Sequence, residues 1–217
     1  MKEGIRAMEQ AILRKKWRLV FLCLGLGLFI ITGCAKTLRE VQTDDKFAVA
    51  PASVQPGLAV LYFEGLYRHI NQMPFGERAL KEGKPGKPIP YLNHRFGDGT
   101  VFDSGQSSGV GVQMNGFIRF PSAGRYLLKA KSNDGIRIFI NQKMVIDDPN
   151  WHSGGDRFSE EASVEVGDPG WYSFFLQYFQ RKGTSMLELY WQTPGPAGYR
   201  IVPADAFGHA SVAGKTD

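Results

Sequence analysis

The sequence predicts an all-β chain, an antiparallel β-sandwich forming one domain. Three observations predict it. Short runs of alternating apolar and polar residues recur between clusters of turn formers, within a chain of 26 glycines and 12 prolines. One longer run, residues 171–180, is apolar on both faces. Tight turns, Gly167-Asp168-Pro169-Gly170 and Arg181-Lys182-Gly183-Thr184, punctuate the later runs.

The elements follow in order. Residues 58–63 form a first strand. Residues 71–109 are a long irregular passage rich in Gly, Pro and Lys, with short strands at 91–96 and 101–102. A loop of that length in a compact domain is functional or mobile. Residues 116–120 are a strand closed by Pro121-Ser122-Ala123-Gly124. Residues 126–132 then alternate, with Leu128, Ala130 and Ser132 on one face and Leu127, Lys129 and Lys131 on the other. Ser132-Asn133-Asp134-Gly135 breaks the pattern, and residues 136–140 resume it with Ile136, Ile138 and Ile140 together. An Asn141-Gln142-Lys143 corner leads to a strand at 144–146 and an exposed loop, 147–156. A strand at 161–166 and a turn at 167–170 precede the two-faced run, which reads as a central strand covered on both sides. Arg181-Lys182-Gly183-Thr184 turns it into 185–192, its expected neighbour in a meander of adjacent antiparallel pairs. There is no internal repeat and no sign of a second domain.

Residues 1–33 read as a lipoprotein signal peptide. Arg14, Lys15, Lys16 and Arg18 are its basic region, and residues 19–31 its apolar run, too short for a stable spanning helix. Met8 offers an alternative start. Ile31-Thr32-Gly33-Cys34 resembles the bacterial lipobox, which makes Cys34 the expected lipid attachment site. Ala35 is not the aspartate that retains many lipoproteins in the inner membrane, so the outer membrane is expected. Residues 34–56 read as the lipidated cysteine and a flexible tether, 57–210 as the folded domain and 211–217 as a disordered tail.

Removing the signal peptide removes the basic character. Six basic and two acidic residues lie within 1–33, so four of the five net positive charges leave with it. The remainder has 20 basic against 19 acidic residues, which excludes a nucleic-acid footprint. Cys23 lies in the excised run and Cys34 carries the lipid, so the domain has neither disulfide nor thiol chemistry.

Phe117-Ile118-Arg119-Phe120-Pro121-x-x-Gly124-x-Tyr126, followed by Ser132-Asn133-Asp134-Gly135-x-Arg137, resembles the protective-antigen-type (PA-14) domain. The resemblance extends from 57 to 207, taking in Gly57 to Phe63, Leu187 to Trp191 and Ile201-Val202-Pro203. It implies a β-sandwich that binds carbohydrate, through calcium in the fungal flocculins, or a structural or protein-interaction module. In sugar-binding relatives, two adjacent aspartates joined by a cis peptide turn both carboxylates onto one calcium ion. That position falls here on Asn133 and Asp134, so an amide replaces one charged ligand, weakening the attraction for the ion. The rival reading is an ordinary Asx turn in which Asn and Gly supply positive φ. Trp151 and His152, in a Gly-rich loop, are a second candidate: an exposed indole is a platform for sugar C–H faces, or else the loop is a lid over the core.

Other patterns carry no chemistry. Gly105-Gln106-Ser107-Ser108-Gly109 matches a nucleophile elbow, but Val110-Gly111-Val112 is a poor helix start. The four histidines lack metal-ligand spacing, and Glu160 and Glu161 would face opposite ways on a strand. The expected function is therefore a non-catalytic, membrane-anchored glycan-binding module of the bacterial envelope, with calcium assisting. The alternative is a structural or protein-interaction module of an envelope assembly.

Overall fold

Alternation along each strand sends every second apolar side chain inward, and two sheets close over the result. The structure is a computed structural model, and it describes residues 39–42, 54–152 and 157–210. The strands are β1 (Arg39–Gln42), β2 (Val54–Pro56), β3 (Ala59–Glu64), β4 (Lys84–Pro85), β5 (Asn93–Gly97), β6 (Val110–Phe120) and β7 (Gly124–Asn133). They continue with β8 (Ile136–Ile140), β9 (Lys143–Asp148), β10 (Ala162–Val166), β11 (Gly170–Gln180), β12 (Ser185–Gln192), β13 (Arg200–Ile201) and β14 (Phe207–Ala210). Among the described residues there is one α-helix, α1 (Glu77–Glu82), which follows a 3-10 turn at Ile70–Gln72.

One sheet runs β1-β10-β7-β12-β13, with β5 also on β12. The other runs β2-β14-β6-β11-β8-β9, with β3 on β6 and β4 on β3. The core lies between them. Tyr126, Leu128 and Ala130 of β7 and Leu187, Leu189 and Trp191 of β12 belong to the same buried cluster as Tyr172, Phe174, Leu176 and Tyr178 of β11. The faces read for residues 126–132 and 136–140 are those observed: Leu128, Ala130, Ser132 and the three isoleucines are buried.

β11 is central as expected, paired with β6 on one side and β8 on the other. Its second face is covered only at one end, where Phe179 packs with Phe63, Ile70, Met73 and Ala79. Trp171 and Phe175, farther along that face, stay partly exposed.

Four expectations are corrected. The meander does not form: β12 pairs with β7, β5 and β13, and β11 lies in the opposite sheet. Alternation fixes which residues point inward but not which sheet receives them, and a four-residue turn spans the ~10 Å between layers. Residues 101–102 are no strand but part of a turn, with Phe102 at φ 51°. The irregular passage contains α1, a six-residue helix too short to announce itself by period. The stretch read as a tether contributes two strands, β1 parallel to β10 and β2 antiparallel to β14. Runs of four and three residues are too brief to show alternation. The signal-peptide, Cys34 and tail readings lie outside the described residues.

Candidate functional site

Between β7 and β8 the chain crosses from one sheet to the other through Asn133-Asp134-Gly135. The Asn133–Asp134 peptide is cis. The corner is docked on β11: the Asp134 amide donates to the Phe179 carbonyl (3.0 Å), and the Phe179 amide to the Gly135 carbonyl (3.0 Å). Neither Asn133 nor Gly135 has positive φ, so the turn reading fails on its stated reason. Gly135 is needed for space instead. A Cβ there would sit 2.5 Å from Cε1 of Phe179 and 2.9 Å from the Pro149 carbonyl oxygen. Gly135→Ala is expected to cost about 1–3 kcal/mol through that overpacking, read as a lowered urea midpoint.

Asn133 is almost fully buried. Its Nδ2 donates to the Thr184 carbonyl (2.6 Å), and its own carbonyl accepts from the Tyr178 hydroxyl (2.6 Å). Its Oδ1 is buried with no partner. Asp134 is 2% exposed. Its Oδ2 accepts from the Arg181 amide (2.7 Å) and its Oδ1 from the His152 amide (3.2 Å). Burial raises the carboxyl above the usual carboxylate range, while those two amides pull it down.

The carboxylate thus fastens two other loops to the corner. Trp151 donates its amide to the Arg68 carbonyl (2.9 Å), and the residue is 47% exposed. It is therefore not tucked over the core. The Arg181 guanidinium carbon lies 5.5 Å from the centre of the Trp151 ring. The His152 ring is largely buried, 3.6 Å from the Asp148 carboxylate, and both its nitrogens lack a hydrogen bond. Burial lowers its pKa, against the pull of Asp148.

All four candidates, Asn133, Asp134, Trp151 and His152, therefore meet at one end of the sandwich. Arg181, Thr184 and Tyr178 belong there too and were not anticipated. The 181–184 segment is visible in the sequence as a turn, but nothing in it says which loop it faces.

Among the described residues no group of three or more His, Cys, Asp or Glu could hold a metal. The oxygen chemistry nevertheless fits calcium in kind. Asn133 Oδ1 is an orphaned acceptor, and each Asp134 oxygen keeps a lone pair beyond its amide bond. Calcium takes roughly six to eight oxygens, so this pair supplies a minority of the shell and one charge.

The remaining patterns resolve structurally. Ser107 lies in a loop that leads into β6, not into a helix. His69 accepts from the Asn71 amide at the 3-10 turn, His94 stacks on Tyr91 and Phe96, and His209 bonds the Gly57 carbonyl. The Glu161 carboxylate accepts from the Tyr199 hydroxyl. Toward the other end of β11, on the outer face of its sheet, lies an apolar groove of about 860 Å³. Phe75, Leu80, Phe117, Phe139 and Phe175 line it.

Fold and corner define a class: β-sandwich modules in which inter-sheet loops gather around an Asp-containing corner at one end. The PA14 domain profile matches residues 93–205, just over half of the chain, and the chain belongs to the PA14 domain family. The match begins at β5, so the front residues of the resemblance, 57–63, lie outside it. No curated protein matches by sequence. Among solved structures, the anti-sigma factor domain-containing protein from Clostridium clariflavum is similar at TM-score 0.57 and 19% identity, over 72% of this chain and 48% of its own. The chain therefore spans about half of that protein. The PA14 domain of the antifreeze protein MpAFP is similar at TM-score 0.56 and 16% identity, over 76% and 96%. The epithelial adhesin 9 A domain from Candida glabrata, solved with Galβ1-4GlcNAc, is similar at TM-score 0.57 and 11% identity, over 77% and 95%.

Proposed function

We propose that this chain is a non-catalytic carbohydrate-binding module of the bacterial cell envelope, held to the outer membrane by a lipid on Cys34. The observation that carries the sugar reading is the corner itself. Trp151, half-exposed, directly precedes His152, whose amide bonds the Asp134 carboxylate, and the Arg181 guanidinium lies 5.5 Å from the Trp151 ring. Apolar ring faces and fixed polar groups side by side suit a sugar, which presents both. The complex of the similar Candida glabrata domain with a galactose-containing disaccharide supports the same class of ligand. Calcium would be held by Asn133 Oδ1 and the Asp134 carboxylate, supplying a Lewis-acidic contact for sugar hydroxyls.

A glycan array with and without chelator tests the binding, and thermal melts test the metal. Calcium at a hundred times its dissociation constant should raise the unfolding free energy by about 2.7 kcal/mol. Asp134→Asn should abolish that gain, and Asn133→Asp should enlarge it by restoring a second charged ligand. A wild type and an Asn133→Asp variant both indifferent to calcium would sink the metal assignment.

The anchor is tested separately. Cys34→Ser should leave a precursor that no longer partitions with membranes and takes up no fatty-acid analogue; label retained in the variant overturns it. Since β1 begins at Arg39, only residues 35–38 separate the cysteine from the first strand.

A second reading, a protein-interaction module, is favoured by the groove. Phe75 is 68% and Leu80 77% exposed at its rim, an apolar surface of the kind that partners cover. A blank glycan array would move the assignment there.

A further inference from the structure

We propose that the sugar taken at this corner is anionic, its carboxylate or sulfate group held by Arg181 beside Trp151. The inference rests on the carbohydrate-binding reading and adds the chemical class of the ligand. Arg78, Arg95, Arg125, Arg137 and Arg157 each face a carboxylate within 3.6 Å. Arg181, like Arg68, Arg119 and Arg200, makes no ion pair among the described residues, but it alone of these four lies against an indole, Trp151, and has its Nε buried without a hydrogen bond. The nearby acid, Asp134, feels the charge of the Arg181 guanidinium but forms no ion pair with it; its two oxygens accept from the backbone amides of Arg181 and His152. Asp148 is no rival either, since Arg157 holds both its oxygens at 2.8 and 2.7 Å. Lys182, next in the turn, is exposed and also faces no carboxylate among the described residues.

Asn133 sharpens the point. A second carboxylate at that position would add negative charge to the corner and repel an acidic ligand; the amide does not. The guanidinium and the indole are contiguous at 5.5 Å. A sugar ring packed on the exposed part of Trp151 therefore carries an acidic substituent to a planar donor fork that matches it two bonds at a time. A neutral hydroxyl uses only one of those donors.

The test is an array of matched glycan pairs that differ only in charge: galacturonate and galactose trimers, glucuronate and glucose trimers, sulfated and unsulfated lactose, sialylated and asialo lactose. The full chain without its signal peptide is read in chelator and in calcium. The acidic member of at least one pair should bind about tenfold tighter, as a charge-assisted bond implies. Raising salt should erode the difference. Arg181→Gln should bring that acidic member down to its neutral partner while leaving the neutral one within about twofold. This variant keeps the backbone amide on Asp134, and an unchanged melting midpoint establishes that it folds. Trp151→Ala should weaken both members alike. Neutral glycans bound as tightly as acidic ones, or an Arg181→Gln variant that loses both equally, overturns the anionic class while leaving sugar binding intact. An array blank for every pair overturns both.

Discussion

Phe174→Ala is expected to lower the unfolding free energy by about 3–5 kcal/mol, through lost transfer energy and the cavity left behind. Phe174 is 2% exposed at the middle of β11, in register with Gly116 of β6 and Ile140 of β8. Its ring meets Phe207 edge-on at 5.6 Å, so it ties the central strand to the last one. Strands on both sides hold the backbone in place, which limits how far the site can collapse around the void. The expected loss is a large share of the ~5–15 kcal/mol that holds a domain folded. The neighbouring Phe175→Ala provides the control, because that ring is only half-covered, meeting Phe75 and Phe139 at 5.9 Å on the outer face. It should cost clearly less. Urea unfolding of the three proteins decides it, and a Phe174→Ala midpoint that hardly moves would remove β11 from the centre of the core.

What could be read from the sequence was what local alternation encodes. The inward faces of β7 and β8 followed from Leu128, Ala130 and Ile136, Ile138, Ile140, and the two-faced run marked β11 as a central strand. The family was legible because its signature lies within one continuous stretch, from Phe117 to Arg137. Sheet membership was not legible. β6, β7, β8, β10, β11 and β12 all present apolar residues inward, and any pairing that keeps them inside satisfies the pattern. The site was half legible for the same reason. Asn133 and Asp134 announce themselves, but Arg181 arrives from 47 positions away because β11 ends opposite the corner and the chain then crosses sheets. The role of Gly135 was misread because a short-range rule about φ stood in for a long-range contact with Phe179.

Asp134→Ala is expected to lower stability by about 2–4 kcal/mol, because two backbone donors lose a charged acceptor. The His152 and Arg181 amides bond to the two oxygens of this one carboxylate. The cost is less than two full charge-assisted bonds, since the carboxylate is itself held out of water and its removal relieves that penalty. The functional loss should exceed the loss of stability in importance. With the carboxylate gone, the loops bearing Trp151 and Arg181 no longer share an anchor, and the 5.5 Å spacing of indole and guanidinium is no longer enforced. Sugar binding should therefore fail even in chelator, where the loss of a metal ligand has no effect. Asn133→Ala separates the two roles: it deletes a donor to the Thr184 carbonyl but leaves both amide bonds to Asp134 in place. It should keep the loop arrangement, and with it calcium-independent binding, while losing the orphaned oxygen. Urea midpoints and glycan titrations of the two variants, each in calcium and in chelator, test this. An Asp134→Ala protein with an unchanged midpoint and intact binding in chelator would show that the carboxylate does not organise the corner.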